Sequence, residues 1–175
     1  MTRIFERGIV FSLLCLTLFA APGLRAQGKP TVKMKASSIS VAMIQSDEIK
    51  LPADFQVALY EDLIQQLQKK GGFEHVYREG DRNAANAPDL VVLHSTVRGF
   101  KKGSEQLRQV TTVAGATSID VHCAFTDKDG KSLLERDIQG KVRFFGANLR
   151  ATYNFAKKAA QVAHDNFSPN PGAGT

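Results

Sequence analysis

The sequence of 175 residues has only two cysteines, Cys15 and Cys123. Cys15 lies in a segment that we expect to be removed during export, which would leave Cys123 alone in the mature chain. A single cysteine excludes an internal disulfide and a structural zinc site built from several cysteines. Cys123 falls on the apolar side of a predicted strand, a position that predicts an inert, packed thiol.

Long hydrophobic runs are equally scarce, and the one at residues 9–21 is too short for a permanent membrane anchor. Arg3 and Arg7 precede this run and a small-residue cleavage pattern follows it, as in a secretory signal peptide. Leu14 before Cys15, and the apolar residues after it, depart from a lipoprotein signal. We therefore expect an exported protein, periplasmic or secreted, with no lipid anchor and no transmembrane segment after cleavage.

The predicted organisation has four parts. They are a signal peptide at residues 1–26, a flexible lead-in at 27–36, a single domain at 37–167 and a disordered tail at 168–175. A mature chain of this length is able to bury a real core.

The net charge of the chain is too small to indicate nucleic-acid binding. The formal net charge of +6 falls to +4 on cleavage, because residues 1–26 carry three basic residues and one acidic residue. A nucleic-acid interface would need more charge and interleaved aromatics, so we expect no such partner. One local set of basic residues comprises Arg98, Lys101, Lys102 and Arg108. We interpret it as a solvated turn. The alternative is a surface that contacts anionic lipid, lipopolysaccharide or an acidic protein.

Catalytic motifs are absent as well. None of the histidines His75, His94, His122 and His164 has zinc-ligand spacing, and no serine lies in a nucleophile elbow. No helix start follows Gly99 and Gly103, so these glycines do not indicate a phosphate-binding loop. They indicate a turn between two strands. We expect no cofactor, and the residues indicate no enzyme class.

A long alternating hairpin dominates what is present. Apolar residues recur at every second position from Ile119 to Phe125, which predicts a half-buried strand. With Asp129 and Gly130 at the centre of the turn, Phe125 faces Leu134 and Val121 faces Ile138.

The remaining pattern predicts strands at 37–44, 73–78 and 90–97, and a segment at 107–113 that leads into the long strand with a bend at Gly115. A helix at 53–70 begins after Pro52 and ends at Gly71-Gly72. A second helix at 149–166, capped by Asn148, has a predicted inner stripe of Leu149, Thr152, Tyr153, Ala156, Ala160, Ala163 and Phe167.

These elements predict an α+β fold. We expect a two-layer sandwich with a mostly antiparallel sheet of about five strands and two helices on one face, in the order β-α-β-β-β-β-α. The other sheet face is expected to be wet.

The same register places a polar group on that wet face. His122 is predicted to face Asp137 across the hairpin, with Asp120 diagonal to it. A carboxylate can orient an imidazole for base catalysis or metal binding, but a solvated cross-strand ion pair is the simpler interpretation. Arg136 is anomalous, because it falls on the dry face opposite Cys123. It lies either beyond the reach of the helices or at a contact with a partner.

Scattered residues along the mature chain resemble a bacterial family of exported proteins, many of them lipoproteins, that is classed as a domain of unknown function. The resemblance implies no catalytic residue and no cofactor, and this chain lacks the family's lipid-attachment cysteine. More distantly, the layout is similar to small α/β domains of envelope proteins that help to assemble outer-membrane secretion or transport complexes. The residues that carry the resemblance are Leu51, Pro52, Phe55, Leu59, Gly72, Phe73, Pro88, Asp89, Leu90, Val91, Val92, Gly99, Phe100, Gly103, Arg108, Gly115, Asp127 and Gly130.

Three functions follow as hypotheses. The first is a non-enzymatic envelope protein that binds or assembles with an envelope protein or with copies of itself. The second is a hydrolase or metal-dependent enzyme with a site at Asp120, His122 and Asp137. The third is a carrier with a small-ligand pocket between the helices and the sheet.

Overall fold

A computed structural model describes residues 32–46, 48–110, 115–143 and 147–171, without the side chain of Arg108. The predicted signal peptide lies outside these residues. The strands are β1 (Met34–Lys35), β2 (Ser38–Val41), β3 (His75–Arg78), β4 (Leu90–Lys101), β5 (Thr117–Asp127), β6 (Ser132–Val142) and β7 (Phe167–Ser168). The helices are α1 (Ala53–Lys70), α2 (Glu105–Val110) and α3 (Arg150–Asn166), with a 3-10 helix at Arg82–Asn86.

Five strands form the main sheet in the order β3-β2-β4-β5-β6. The long β4-β5 and β5-β6 ladders are antiparallel, whereas the short β2 pairs in parallel with β3 and β4. A parallel pair needs a crossover connection, which α1 supplies between β2 and β3. The predicted α+β class and the predicted mostly antiparallel sheet of five strands are confirmed.

The hairpin register is confirmed too. Phe125 pairs with Leu134 and Val121 pairs with Ile138. In the turn, Oδ1 of Asp127 accepts hydrogen bonds from the backbone N–H groups of Asp129 and Lys131, each at 2.9 Å. Gly130 has a φ of 83°, which a glycine adopts without strain.

Helices α1 and α3 cover one face of the sheet. Helix α1 has the predicted bounds and buries Phe55, Leu59 and Leu63 against the apolar sheet face. A hydrogen bond of 2.6 Å from Oγ1 of Thr152 to Oδ2 of Asp62 joins the two helices. The buried residues between these helices and the sheet form one apolar core. None of the helices in the described ranges is long and apolar enough to cross a membrane.

The predicted inner stripe of α3 is wrong at its start. Phe155 sets the buried face and is fully buried, whereas Leu149 and Tyr153 are 37% and 40% exposed. Gly140 on β6 permits this arrangement, because a Cβ there would lie 2.7 Å from Cβ of Phe155. The predicted cap is also wrong, since the side-chain oxygen of Asn148 accepts a hydrogen bond from Thr117 instead of capping the helix.

The segment between β4 and β5 differs from the prediction. Residues 105–110 form α2, whose start is stabilised by the hydroxyl of Ser104 accepting from the N–H of Leu107 at 3.3 Å. Strand β4 extends to Lys101, so Gly99 lies at a bulge inside a strand and not in a turn. Gly115, with a φ of 84°, precedes β5. Residues 111–114 lie outside the described residues.

The sequence pattern does not predict the second, two-stranded sheet. Strand β1 pairs in parallel with β7, and Met34 lies opposite Phe167. A further hydrogen bond of 3.0 Å runs from the N–H of Ala36 to the carbonyl of Ser168. Strand β1 lies in the predicted lead-in, and β7 spans the boundary between the predicted domain and the predicted tail. Two-residue strands are too short to leave a periodic signal.

Candidate functional site

The polar group predicted on the wet sheet face forms as expected from the register. His122 on β5 lies opposite Asp137 on β6, and its Nδ1 is 2.8 Å from Oδ1 of Asp137. A guanidinium nitrogen of Arg98 lies 3.6 Å from the same oxygen. The hydrogen bond with His122, followed by the charge of Arg98, lowers the pKa of Asp137 below its usual value.

Both ring nitrogens of His122 face carboxylates. Its Nε2 lies 3.8 Å from Oε2 of Glu135, on the side opposite Asp137. Asp120 lies opposite Gln139 in the register and is therefore diagonal to Asp137. Its Oδ1 accepts a hydrogen bond of 2.7 Å from the side-chain amide of Gln139. Within the described residues, no group of three or more His, Cys, Asp and Glu side chains could hold a metal ion. The arrangement is a cross-strand network on an open face.

The structure places the described members of the predicted basic set at different points. Arg98 contacts Asp137, whereas Lys101 and Lys102 lie exposed at the end of β4, where Lys101 pairs with Ser118. Arg108 belongs to α2, and its side chain lies outside the described residues. The structure thus brings Arg98 together with the histidine network and places the two lysines further along the strand.

Arg136 lies opposite Cys123 as the register predicts, but it is exposed. Helix α3 contacts both β6 and β5. Lys158 in its middle reaches the backbone of Gln139 on β6, whereas Phe167 at its end packs against Phe125 on β5. The residue that follows α3 thus contacts β5, which agrees with the exposure of Arg136 on β6. Its guanidinium donates a hydrogen bond of 2.8 Å to the carbonyl of Glu135.

Cys123 is buried between the sheet and the helices. Burial raises the pKa of its thiol to about 12, and a weak contact of 4.0 Å to the hydroxyl of Ser95 only partly opposes this. A thiol with this pKa is protonated at neutral pH and is a poor nucleophile. The geometry agrees with the predicted inert thiol.

An apolar groove beside α1 was not signalled by the sequence pattern. It has a volume of about 430 Å³ and is lined mainly by apolar surface. Met43 and Val57 at its mouth are 54% and 63% exposed. One residue in the sequence could have indicated this groove: Val57, a large apolar residue that lies away from the buried stripe of α1. Met43 gave no such indication, because it fits the alternating pattern of the preceding strand.

Hydrogen bonds hold the walls of this groove in place. The hydroxyl of Tyr60 donates to the carbonyl of Val41 and accepts from the N–H of Glu79, each at 3.2 Å. The carboxylate of Glu79 accepts from the N–H of Met43, and the amide of Gln56 donates to the carbonyl of Ile44 at 3.4 Å. The polar groups of the wall are therefore engaged, and its apolar surface faces solvent.

An ion pair lies at the rim of the groove. Both guanidinium nitrogens of Arg78 donate to the carboxylate of Glu61, at 2.6 and 2.7 Å. This hydrogen bonding lowers the pKa of Glu61 and raises that of Arg78. The guanidinium also lies 5.6 Å from the centre of the Tyr60 ring. The rim is thus charged and ordered around an apolar floor.

Solved structures share this fold. Two crystal structures of the PelC dodecamer from Paraburkholderia phytofirmans align with TM-scores of 0.56 and 0.55, at 13% and 14% identity. The alignments cover 78% and 75% of this chain and 91% and 92% of the PelC chain. Protein XCC0632 from Xanthomonas campestris, of the family DUF330, has a TM-score of 0.46 at 13% identity, covering 78% of this chain and 84% of its own.

Sequence comparison gives no closer relationship. No family model matches the chain, and no curated protein matches it significantly. At the identities found, the similarity to PelC shows a common fold.

Proposed function

We propose that this chain is a non-enzymatic protein of the cell envelope that self-associates and acts as an assembly module. The observation that carries the proposal is the groove beside α1, with Met43 and Val57 exposed at its mouth. Contiguous exposed apolar surface with a charged rim is typical of a protein–protein contact.

Two further observations support the proposal. The fold is shared with PelC, whose solved structures are dodecamers, so a subunit of this shape is compatible with a large homo-oligomer. The segment at residues 1–26 has the pattern of a secretory signal peptide, which favours the envelope over the cytoplasm. An envelope protein that binds the assembled oligomer is the second partner that we expect.

In the part of the chain that the structure describes, apolar side chains pack the layer where a carrier would hold its ligand. Phe55, Leu63 and Phe155 are buried in the layer between the helices and the sheet. This packed layer argues against the carrier hypothesis, since a carrier needs a preformed pocket.

The hydrolase or metal-dependent enzyme is the second candidate. The observation in its favour is the 2.8 Å contact of His122 with Asp137, which fixes the imidazole as a general base requires. The test is a panel of chromogenic esters and phosphates, with and without added Zn²⁺, on the wild type and on His122→Ala. Turnover lost in the variant would support this candidate, and no turnover by the wild type would exclude it for these substrates.

The test of the proposed function is the mass of the native protein. The full reading frame, with a C-terminal tag, is expressed in a bacterial host and purified gently from the cell envelope. Native mass spectrometry then reads both the N-terminus and the assembly. We expect a chain that begins near Gln27 and a defined oligomer. A monomer at every concentration, with no co-purifying envelope protein, would overturn the proposal.

A further inference from the structure

We propose that the groove beside α1 of one copy binds the exposed start of α3 of the next copy. This inference rests on the proposed self-association and names the two surfaces that make it. We call the second surface the α3 ridge and define it as Leu149, Arg150, Tyr153 and Lys157, all exposed.

The ridge presents apolar and basic side chains on one helix face. Leu149 and Tyr153 are four residues apart, and Arg150 and Lys157 lie three and four residues on either side of Tyr153, so all four share a face. Among the described residues, neither Arg150 nor Lys157 forms an ion pair within 4.0 Å. The ridge therefore has an aromatic centre flanked by two cations that lack an ion pair within the described ranges.

The groove side of α1 has the same spacing with the opposite charge. Asp54 and Glu61 lie three and four residues on either side of Val57, and the carboxylate of Glu79 stands beside Met43. Among the described residues, Arg78 pairs with Glu61, and Asp54 and Glu79 form no ion pair within 4.0 Å. An acidic rim around an apolar floor thus complements a basic flank around an aromatic centre, which favours association and fixes its register.

The two surfaces cannot satisfy each other within one copy. Tyr60, in the groove wall, and Asp62, which accepts the hydrogen bond from Thr152 of α3, are about 200° apart around α1. The groove therefore opens on the side of α1 away from α3. A ridge that fills it must come from a second copy, and such a head-to-tail contact closes into a ring or continues as a filament.

The groove is prepared for such a contact before binding. The hydrogen bonds of Tyr60, Gln56 and Glu79 fix its walls in the single copy. Little ordering is then needed on association, which favours affinity. Tyr153 is the natural anchor, because tyrosine is enriched among residues that dominate interface energy.

Two variants test the contact in the full-length, processed protein. Val57→Lys places a cation in the groove against the basic ridge, and Tyr153→Glu places a carboxylate on the ridge against the acidic rim. Each is expected to weaken self-association by about 30-fold or more, the effect of losing one dominant interface residue. Gln65→Lys and Gln68→Glu, at exposed positions of α1 beyond the groove, are the matched controls and should keep the wild-type mass.

Mixing the two variants provides the decisive measurement. Each variant retains the surface that the other has lost, so the mixture should form a one-to-one heterodimer through the one intact contact. Each variant alone should associate about 30-fold more weakly than the wild type, or worse. Circular dichroism melts check that both variants fold. Assembly of either variant alone at wild-type strength, or a mixture that stays monomeric, would overturn this contact while leaving the proposed self-association intact. A monomeric wild type would overturn both.

Discussion

Nδ1 of His122 lies 2.8 Å from Oδ1 of Asp137 across the β5-β6 ladder, on the sheet face that the helices leave open. The hydrogen bond favours the ionised carboxylate, and Arg98 adds to this effect from 3.6 Å. The pKa of Asp137 is lowered as a result. This contact is the most direct consequence of the hairpin register, and it can be examined without knowing the function.

We expect His122→Ala to raise the pKa of Asp137 back towards its usual value, because the largest cause of the lowering is removed. NMR titration of the carboxyl carbon measures this directly. The stability linked to Asp137 is present above the pKa of the unfolded chain and is lost as the pH falls through the lower folded pKa. His94→Ala, on the same face of β4, is the control. An unchanged titration of Asp137 in His122→Ala would contradict the assignment.

Such register-based predictions succeed because a strand has a period of two. Once the Asp129-Gly130 turn is placed, the pairing from Phe125 and Leu134 onward follows, including that of His122 with Asp137. Beside the turn itself the register shifts, and Thr126 pairs with Ser132. Helix α1 is equally predictable from the sequence, since Pro52 and Gly71-Gly72 bound a continuous apolar stripe.

The buried face at the start of α3 is harder to predict from the sequence, for a physical reason. An alanine-rich helix has several faces of similar apolarity, and Phe155 alone decides which one is buried, because Gly140 leaves room for it. That choice exposes Leu149 and Tyr153. The groove beside α1 is also hidden from the sequence, because Met43, Val57 and Glu79 come from three separate segments. Surfaces assembled from distant segments need the tertiary fold.

We expect Cys123 to resist thiol reagents in the folded protein and to react at the rate of unfolding. Burial raises its pKa to about 12, so the folded state holds the thiol protonated. The associated stability is present below the pKa of the unfolded thiol and is lost as the pH rises through the folded pKa. Reaction with a chromogenic disulfide, with and without denaturant, measures accessibility. Comparing the free energy of unfolding of the wild type and of Cys123→Ala, at neutral and at high pH, isolates the contribution of the thiol. Rapid labelling of Cys123 in the native protein would contradict this prediction.

Gly140→Ala should destabilise the fold at the upper end of the about 1–3 kcal/mol typical of overpacking. A Cβ at this position would lie 2.1 Å from the backbone carbonyl oxygen of Ala151, so α3 must shift from β6. Urea unfolding measures the loss. Gln139→Ala, at the neighbouring exposed position, removes only the hydrogen bond to Asp120 and should cost less, about 0.5–1.5 kcal/mol. Equal stability of Gly140→Ala and the wild type would show that α3 docks differently.

The outer edge of β6 is occupied by side chains, and we expect their removal to cause aggregation. Asn154 donates to the carbonyl of Lys141 at 2.8 Å, and Lys158 donates to that of Gln139 at 2.7 Å. An edge strand with free carbonyls is a template for pairing with another chain. The double variant Asn154→Ala/Lys158→Ala should therefore scatter more light during refolding at a given concentration.

The control for this edge is Lys128→Ala, which removes a charge at the hairpin turn and leaves both carbonyl contacts in place. It should refold without additional light scattering, because we expect exposure of the β6 carbonyls, and not the loss of a charge, to cause the aggregation. Thioflavin fluorescence distinguishes strand pairing from amorphous precipitation. If Lys128→Ala aggregates as much as the double variant, charge loss is the cause, and the α3 side chains have no protective role at the edge of β6.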